Sequence, residues 1–277
     1  MKRFFISMIL VFPLITFMGC SNDDDNSGSS VEVSETFILS SASDPAISGT
    51  AKVIKNNDAS ITVELQLTGT TTGAMHPAHI HYNSAAESGG VAVTLGTVDG
   101  NTGFSTVTFS TLDNDTAITY EELIDFDGYI NVHLSASEPS TLVAQGDIGI
   151  NVLTGESTSY DLDEVDVPNV DGTITFFERV SGKALAVIEL NNTEAGNMHP
   201  AFIRMNDIAT GGTVIFTLTP INGETGISAT HVAAFDDETS FNYSDIATLD
   251  GHVSVHFSAL DLVTLVAQGD IGVNDFQ

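Results

Sequence analysis

A single cysteine, Cys20, stands in a chain of 277 residues, so no disulfide can form within it. Positive charge is nearly as scarce: seven Lys and Arg face 37 Asp and Glu, a formal charge of −30. That balance excludes the cationic footprint that nucleic-acid binding needs. It also excludes adhesion to anionic lipid through protein charge. No Lys or Arg occurs from Asn56 to Glu178. Long helically periodic stretches are missing beyond the N-terminus. The one sustained apolar run, Phe4 to Met18, is too short to span a membrane comfortably. What the chain does have is 42% apolar residues, enough for a packed core, and a length that suits two ordinary domains.

The first residues have the layout of a secretory signal: basic Met1-Lys2-Arg3, the apolar run, then Gly19-Cys20. A small residue before a lone cysteine resembles the lipobox of bacterial lipoproteins, with Phe17 where that family usually has Leu. The resemblance implies a signal peptide over 1–19 and lipidation of Cys20, which would become the first residue of the mature protein. Ser21-Asn22-Asp23-Asp24-Asp25 is similar to the acidic tag that sends lipoproteins of Bacteroidetes-type bacteria to the cell surface, and 20–30 reads as a solvated linker. The location so implied is the bacterial outer membrane, surface-exposed or on its periplasmic face. The membrane is then reached through the N-terminal lipid.

The rest is one unit written twice. Leu142-Val143-Ala144-Gln145-Gly146-Asp147-Ile148-Gly149 recurs as Leu265-Val266-Ala267-Gln268-Gly269-Asp270-Ile271-Gly272, and Met75-His76-Pro77-Ala78 as Met198-His199-Pro200-Ala201. Tyr120 recurs as Tyr243 and His133 as His256, every pair 123 residues apart. A constant offset of domain length means tandem duplication, not a solenoid. The domains are placed at 31–153 and 154–277, with Thr154 to Asp171 holding the junction and the first strand of the second copy.

Each copy reads as short strands. Ser60 to Leu67 alternates cleanly, with Ile61, Val63, Leu65 and Leu67 on one face. Gly90 to Leu95 and Gly103 to Phe109 read likewise, separated by Gly, Asn and Asp clusters. Tyr120 to Ile124 suits one helical turn. Strands at this spacing in about 120 residues predict an all-β architecture: two tandem Greek-key sandwiches or barrels after the signal peptide.

Candidate chemistry sits in Met75-His76-Pro77-Ala78-His79-Ile80-His81. On an extended chain Ala78 and Ile80 point one way, His79 and His81 the other. In Asp127 to Leu134, Ile130, Val132 and Leu134 take the core side, leaving Tyr129, Asn131 and His133 opposite. Three histidines off the core face, on two strands, suit metal ligation better than core packing. The pattern His76-x-x-His79-x-His81, then Asn131-Val132-His133, then Gln145-Gly146-Asp147-Ile148-Gly149 resembles the chordin-type (CHRD) domain, and its ordering is similar to copper–zinc superoxide dismutase. The resemblance implies a Greek-key barrel and matches His79, His81 and His133 to three copper ligands, with His76 in support. Asn131 or a water would complete the shell. Copper is the expected ion, zinc the alternative, in the first domain only.

The departures from the dismutase are large. No histidine lies between His81 and His133, there is no cysteine pair, and the arginine that guides superoxide is missing. Residues 31–153 carry 15 Asp and Glu against 2 Lys, a formal −13 that repels an anionic substrate. In the second copy His79 becomes Phe202 and His81 becomes Arg204, which stays protonated and ligates no metal. That copy is expected to be a scaffold, with Arg204 offering a cation or pairing with a carboxylate. Metal binding by the first domain leads. A non-catalytic adhesion or matrix-interaction module with architectural histidines is the alternative, its protein partner unspecified, and a reduced superoxide dismutase ranks last. The run Asp161 to Asp166 lacks the spacing of a calcium loop and reads as a solvated face. Glu121-Glu122 is a pair in sequence only and does not support acid–base work.

Overall fold

The structure, a computed structural model, describes residues 32–43 and 46–275. The signal segment, Cys20 and the acidic run after it lie outside the described residues. The first copy comprises β1 (Ser34–Ser41), β2 (Ser48–Lys55), β3 (Ile61–Thr68), β4 (Met75–Tyr82), β5 (Val91–Asp99), β6 (Phe104–Phe109), α1 (Tyr120–Ile124), β7 (Asp127–Ser135) and β8 (Glu138–Gly149). The second comprises β9 (Leu153–Glu164), β10 (Gly172–Arg179), β11 (Ala184–Leu190), β12 (Met198–Met205), β13 (Val214–Asn222), β14 (Ile227–Val232), β15 (Asp250–Ser258) and β16 (Asp261–Gly272), with a 3-10 turn at Tyr243–Thr248.

The all-β expectation holds, and sandwich or barrel resolves to barrel. The strands of the first copy close in the order β1-β2-β3-β6-β5-β4-β7-β8, and the second repeats that order as β10-β11-β14-β13-β12-β15-β16-β9. The β4-β5-β6 meander lies beside β3, the crossover of a Greek key. Closure is antiparallel and short, Ser40 opposite Gln145 in one barrel and Gln268 opposite Asp163 in the other. It leaves no sheet edge to recruit another chain.

Binary patterning builds both interiors. Ile61, Val63, Leu65 and Leu67 are all buried on the inner face of β3, while their neighbours point outward. Each barrel encloses its own apolar core. The single helical turn is α1, made by its cap. The Thr119 hydroxyl accepts from the Glu122 N–H, and the Glu122 carboxylate accepts from the Thr119 N–H, a reciprocal pair that satisfies two end donors. Glu121 pairs with Lys55. Both members of the Glu121-Glu122 pair are thus occupied structurally.

β5 departs from the alternation its sequence suggests. Val91, Val93 and Leu95 read as one face, yet Val91 is exposed while Ala92 and Val93 are both buried. Ile80 pairs with Val93 and His81 with Val91, so Ala92 is an extra residue opposite that step. This bulge lies beside the histidines, where such irregularities re-aim a strand.

The barrels form one compact unit. Their joint is the β10–β11 turn seated on the β8–β9 turn. Arg179, 1% exposed, donates through Nη1 to Asp147 Oδ2 at 2.7 Å and to the Asn151 carbonyl. The Val180 and Ser181 amides donate to the carbonyls of Val152 and Ile150.

Candidate metal centre

β4 and β7 are neighbours, and their register sets the site. His79 lies opposite Asn131 and His81 opposite Tyr129. Ala78 and Ile80 are wholly buried on the core side, so His79 and His81 project from the other face, half-buried. His133 is nearly buried at the diagonal position on β7. Ring centroids lie 5.2 Å apart for His79 and His133, 5.8 Å for His79 and His81, and 6.5 Å for His81 and His133.

A nitrogen from each ring lies within 4.8 Å of one from each of the other two. Three nitrogens bonded to one ion at about 2.0–2.1 Å in tetrahedral or trigonal geometry lie about 3.3–3.6 Å apart. Ring rotations that close the widest pair by up to about 1.5 Å bring all three to bonding distance. His79 Nδ1, His81 Nε2 and His133 Nδ1 are buried without a hydrogen-bond partner. Orphaned polar atoms of this kind are costly in a folded interior. His76, His199, His231 and His256 also carry such atoms; what sets these three apart is that their rings converge, which fits a shared cation.

On His81 and His133 the other nitrogen is used to aim the ring. His81 Nδ1 donates to the Gly89 carbonyl at 2.9 Å, which leaves Nε2 with the lone pair. The Pro139 carbonyl accepts from His133. Carbonyl partners that fix tautomer and orientation are the usual support of metal-ligating histidines. Tyr129 stacks on His81 at 5.0 Å and 19°, and its hydroxyl accepts from the Gly89 N–H. Gly89 must be glycine, because a Cβ there would stand 2.0 Å from the Tyr82 carbonyl oxygen. Gly89, Pro139 and the Tyr129 stack leave no mark in the residue pattern. Tyr129 alone carried a signal, since it shares the off-core face with His133.

Electrostatics favour neutral rings. Burial pushes the His79 imidazole below its ordinary value, and His133 and His81 push it further, against Asp113. Burial likewise lowers His133, against the Pro139 carbonyl. Neutral imidazole is the form that binds metal.

His76 is buried, and its Nδ1 donates to the carbonyl of His133 at 3.2 Å, holding β7 in place next to a ligand ring. The Asn131 amide oxygen accepts from Gln145 at 2.8 Å.

In the second barrel the equivalent space is filled. Phe202 packs edge-on against His256 at 5.4 Å, and Arg204 lies over Phe202. Arg204 was expected to offer a cation or pair with a carboxylate. Instead its Nε donates to Ser254 Oγ and its Nη1 to the carbonyl of Gly212, the counterpart of Gly89. His252 donates through Nδ1 to the Asn206 carbonyl. Among the described residues, His79, His81 and His133 are the group of three that can hold a metal ion.

No curated protein and no solved structure matches the chain. The CHRD domain family does match, over residues 30–159, and the whole first barrel with its three histidines lies inside that match.

Proposed function

We propose that the first barrel binds a transition-metal ion through His79, His81 and His133, copper first and zinc as the alternative. A lipid on Cys20 holds the chain at the outer membrane of a bacterium, facing the cell exterior. The carrying observation is the set of three buried, partnerless ring nitrogens. Imidazole donors suit both ions, and copper binds such sites more tightly. His76 and Asn131 sit behind the ligands as orienting residues. The role is acquisition, storage or slow redox exchange of the ion. Rapid superoxide turnover is not part of the reading, because the domain's −13 charge repels that substrate.

The test is elemental analysis of the purified chain after copper loading and dialysis. About one copper per chain is expected, falling at least about tenfold on His79→Ala or His133→Ala. Equal retention by wild type and both variants would remove the metal reading. Cys20→Ser is expected to move the chain from the membrane fraction to the soluble fraction.

A second reading, an extracellular interaction module, is favoured by the β15–β16 hairpin. Leu260, Leu262 and Val263 are exposed there, where the first barrel has Ser137, Pro139 and Ser140. Exposed apolar groups clustered on one hairpin suit contact with another protein.

A further inference from the structure

The joint between the barrels uses a socket that the chain contains twice. In the first barrel Asp147 Oδ1 accepts from the Ala85 amide at 2.8 Å, leaving Oδ2 to receive Arg179. Asn151 Nδ2 donates to Asp127 Oδ1 at 2.8 Å and to the Gly128 carbonyl, which turns its own carbonyl toward the same guanidinium. The second barrel repeats these bonds, except that the Asn83 carbonyl accepts from Asn151 while its counterpart on Asn206 accepts from His252. Asp270 Oδ1 accepts from the Ile208 amide at 2.8 Å. Asn274 Nδ2 donates to Asp250 Oδ1 at 2.9 Å and to the Gly251 carbonyl. The turn itself closes the same way, Asn274 to Ile271 as Asn151 to Ile148.

What differs is the occupant. Asp147 and Asn151 hold Arg179, whereas Asp270 and Asn274 are partly open to solvent, beside an exposed Val273. Val273 and Asp275 stand where Ile150 and Val152 offer carbonyls to Ser181 and Val180. The carboxylates at this end are arranged differently, with Thr210 and Thr248 where the first barrel has Glu87 and Asp125. Asp207 and Asp275 replace Ser84 and Val152, in addition to the shared Asp250 and Asp270.

We propose that this end of the second barrel is a docking face for a basic partner protein, which inserts an arginine from the first position of a tight β-turn between Asp270 and the Asn274 carbonyl. The occupant's chemistry is read from the joint, where the equivalent acceptors take an arginine and its two following amides. A planar guanidinium suits a carboxylate oxygen and a carbonyl set side by side, and Asp207, Asp250, Asp270 and Asp275 around the socket favour a cationic partner.

The probe is a fluorescein-labelled, disulfide-closed peptide with the joint's own turn sequence, Glu-Arg-Val-Ser-Gly-Lys, titrated onto the full chain by fluorescence anisotropy. Saturable binding is expected, weakened about tenfold or more by Arg→Gln in the peptide and equally by Asp270→Asn in the chain. Asn at 270 keeps the acceptor for Ile208. Val273→Arg changes only an exposed rim residue and is expected to weaken binding by a similar factor, so the test stands if Asp270→Asn fails to fold. No saturation below ~5 mM, equal affinity for the Gln peptide, or indifference to both chain variants would overturn the proposal. Calcium competing at this end where the peptide does not bind would overturn it too.

Discussion

His81 shows how much of the site depends on what lies behind it. Its Nδ1 is tied to the Gly89 carbonyl, and that fixes which nitrogen faces His79 and His133. Gly89→Ala would force its backbone away from the Tyr82 carbonyl, since the new Cβ would sit 2.0 Å from that oxygen. The ring would lose its anchor without any ligand being touched. Copper affinity is expected to fall about 10–100-fold in a chelator-competition titration on the folded variant. Unchanged affinity would show that the ring is held by something else. Strand alternation alone placed His79, His81 and His133 on the off-core faces. It could not reveal Gly89 or Pro139, because a backbone carbonyl contributed by a loop leaves no mark on residue type.

At the scale of the strand, the second barrel is a natural negative control. β12 and β15 repeat the pairing of β4 and β7: Phe202 opposite Ser254, Arg204 opposite His252. Gly212 stands where Gly89 does. Phe202→His with Arg204→His would therefore place two imidazoles beside His256 on an unchanged frame. Copper stoichiometry measured by elemental analysis is expected to rise from about one to about two per chain. A variant that folds and still binds one would mean that two strands and three rings are not sufficient. Legibility at this scale was uneven. Tyr120 to Ile124 does form the one helical turn, held by a Thr119–Glu122 cap, and β3 follows from alternation. β5 does not, because the bulge at Ala92 adds a residue opposite β4 and turns Val91 outward, and a bulge is a property of the pair of strands rather than of either one.

For the whole molecule, the 123-residue offset made the tandem plan visible, while the joint between copies was not. Arg179 has Asn56 as its counterpart, so the repeat offered no hint of its role, and its partner Asp147 is 32 residues away. The pair carries an asymmetric expectation. Asp147→Ala strands a buried guanidinium whose Nε and Nη2 already lack partners, and should cost on the order of 3 kcal/mol or more in chemical denaturation. Arg179→Met removes the charge with the bond and should cost clearly less. A reversed order would mean that the joint is held by packing alone. The histidines set a pH dependence. Burial lowers His79, His133, His231 and His256 below the ordinary 6.5, so the unfolded chain takes up protons first as pH falls. Their contribution is complete above about pH 6.5 and is lost as pH drops toward the lowered folded values. The thermal midpoint should fall between pH 7 and 5, and His231→Gln should shrink that fall; an undiminished slope would remove His231 from the account. The central claim, that the three rings of the first barrel share one ion, is tested most directly by anomalous diffraction at the copper edge from copper-loaded crystals. One peak about 2.0–2.1 Å from a nitrogen of each of His79, His81 and His133 is the expected result. A peak elsewhere, or none there with the rings turned apart, would contradict it.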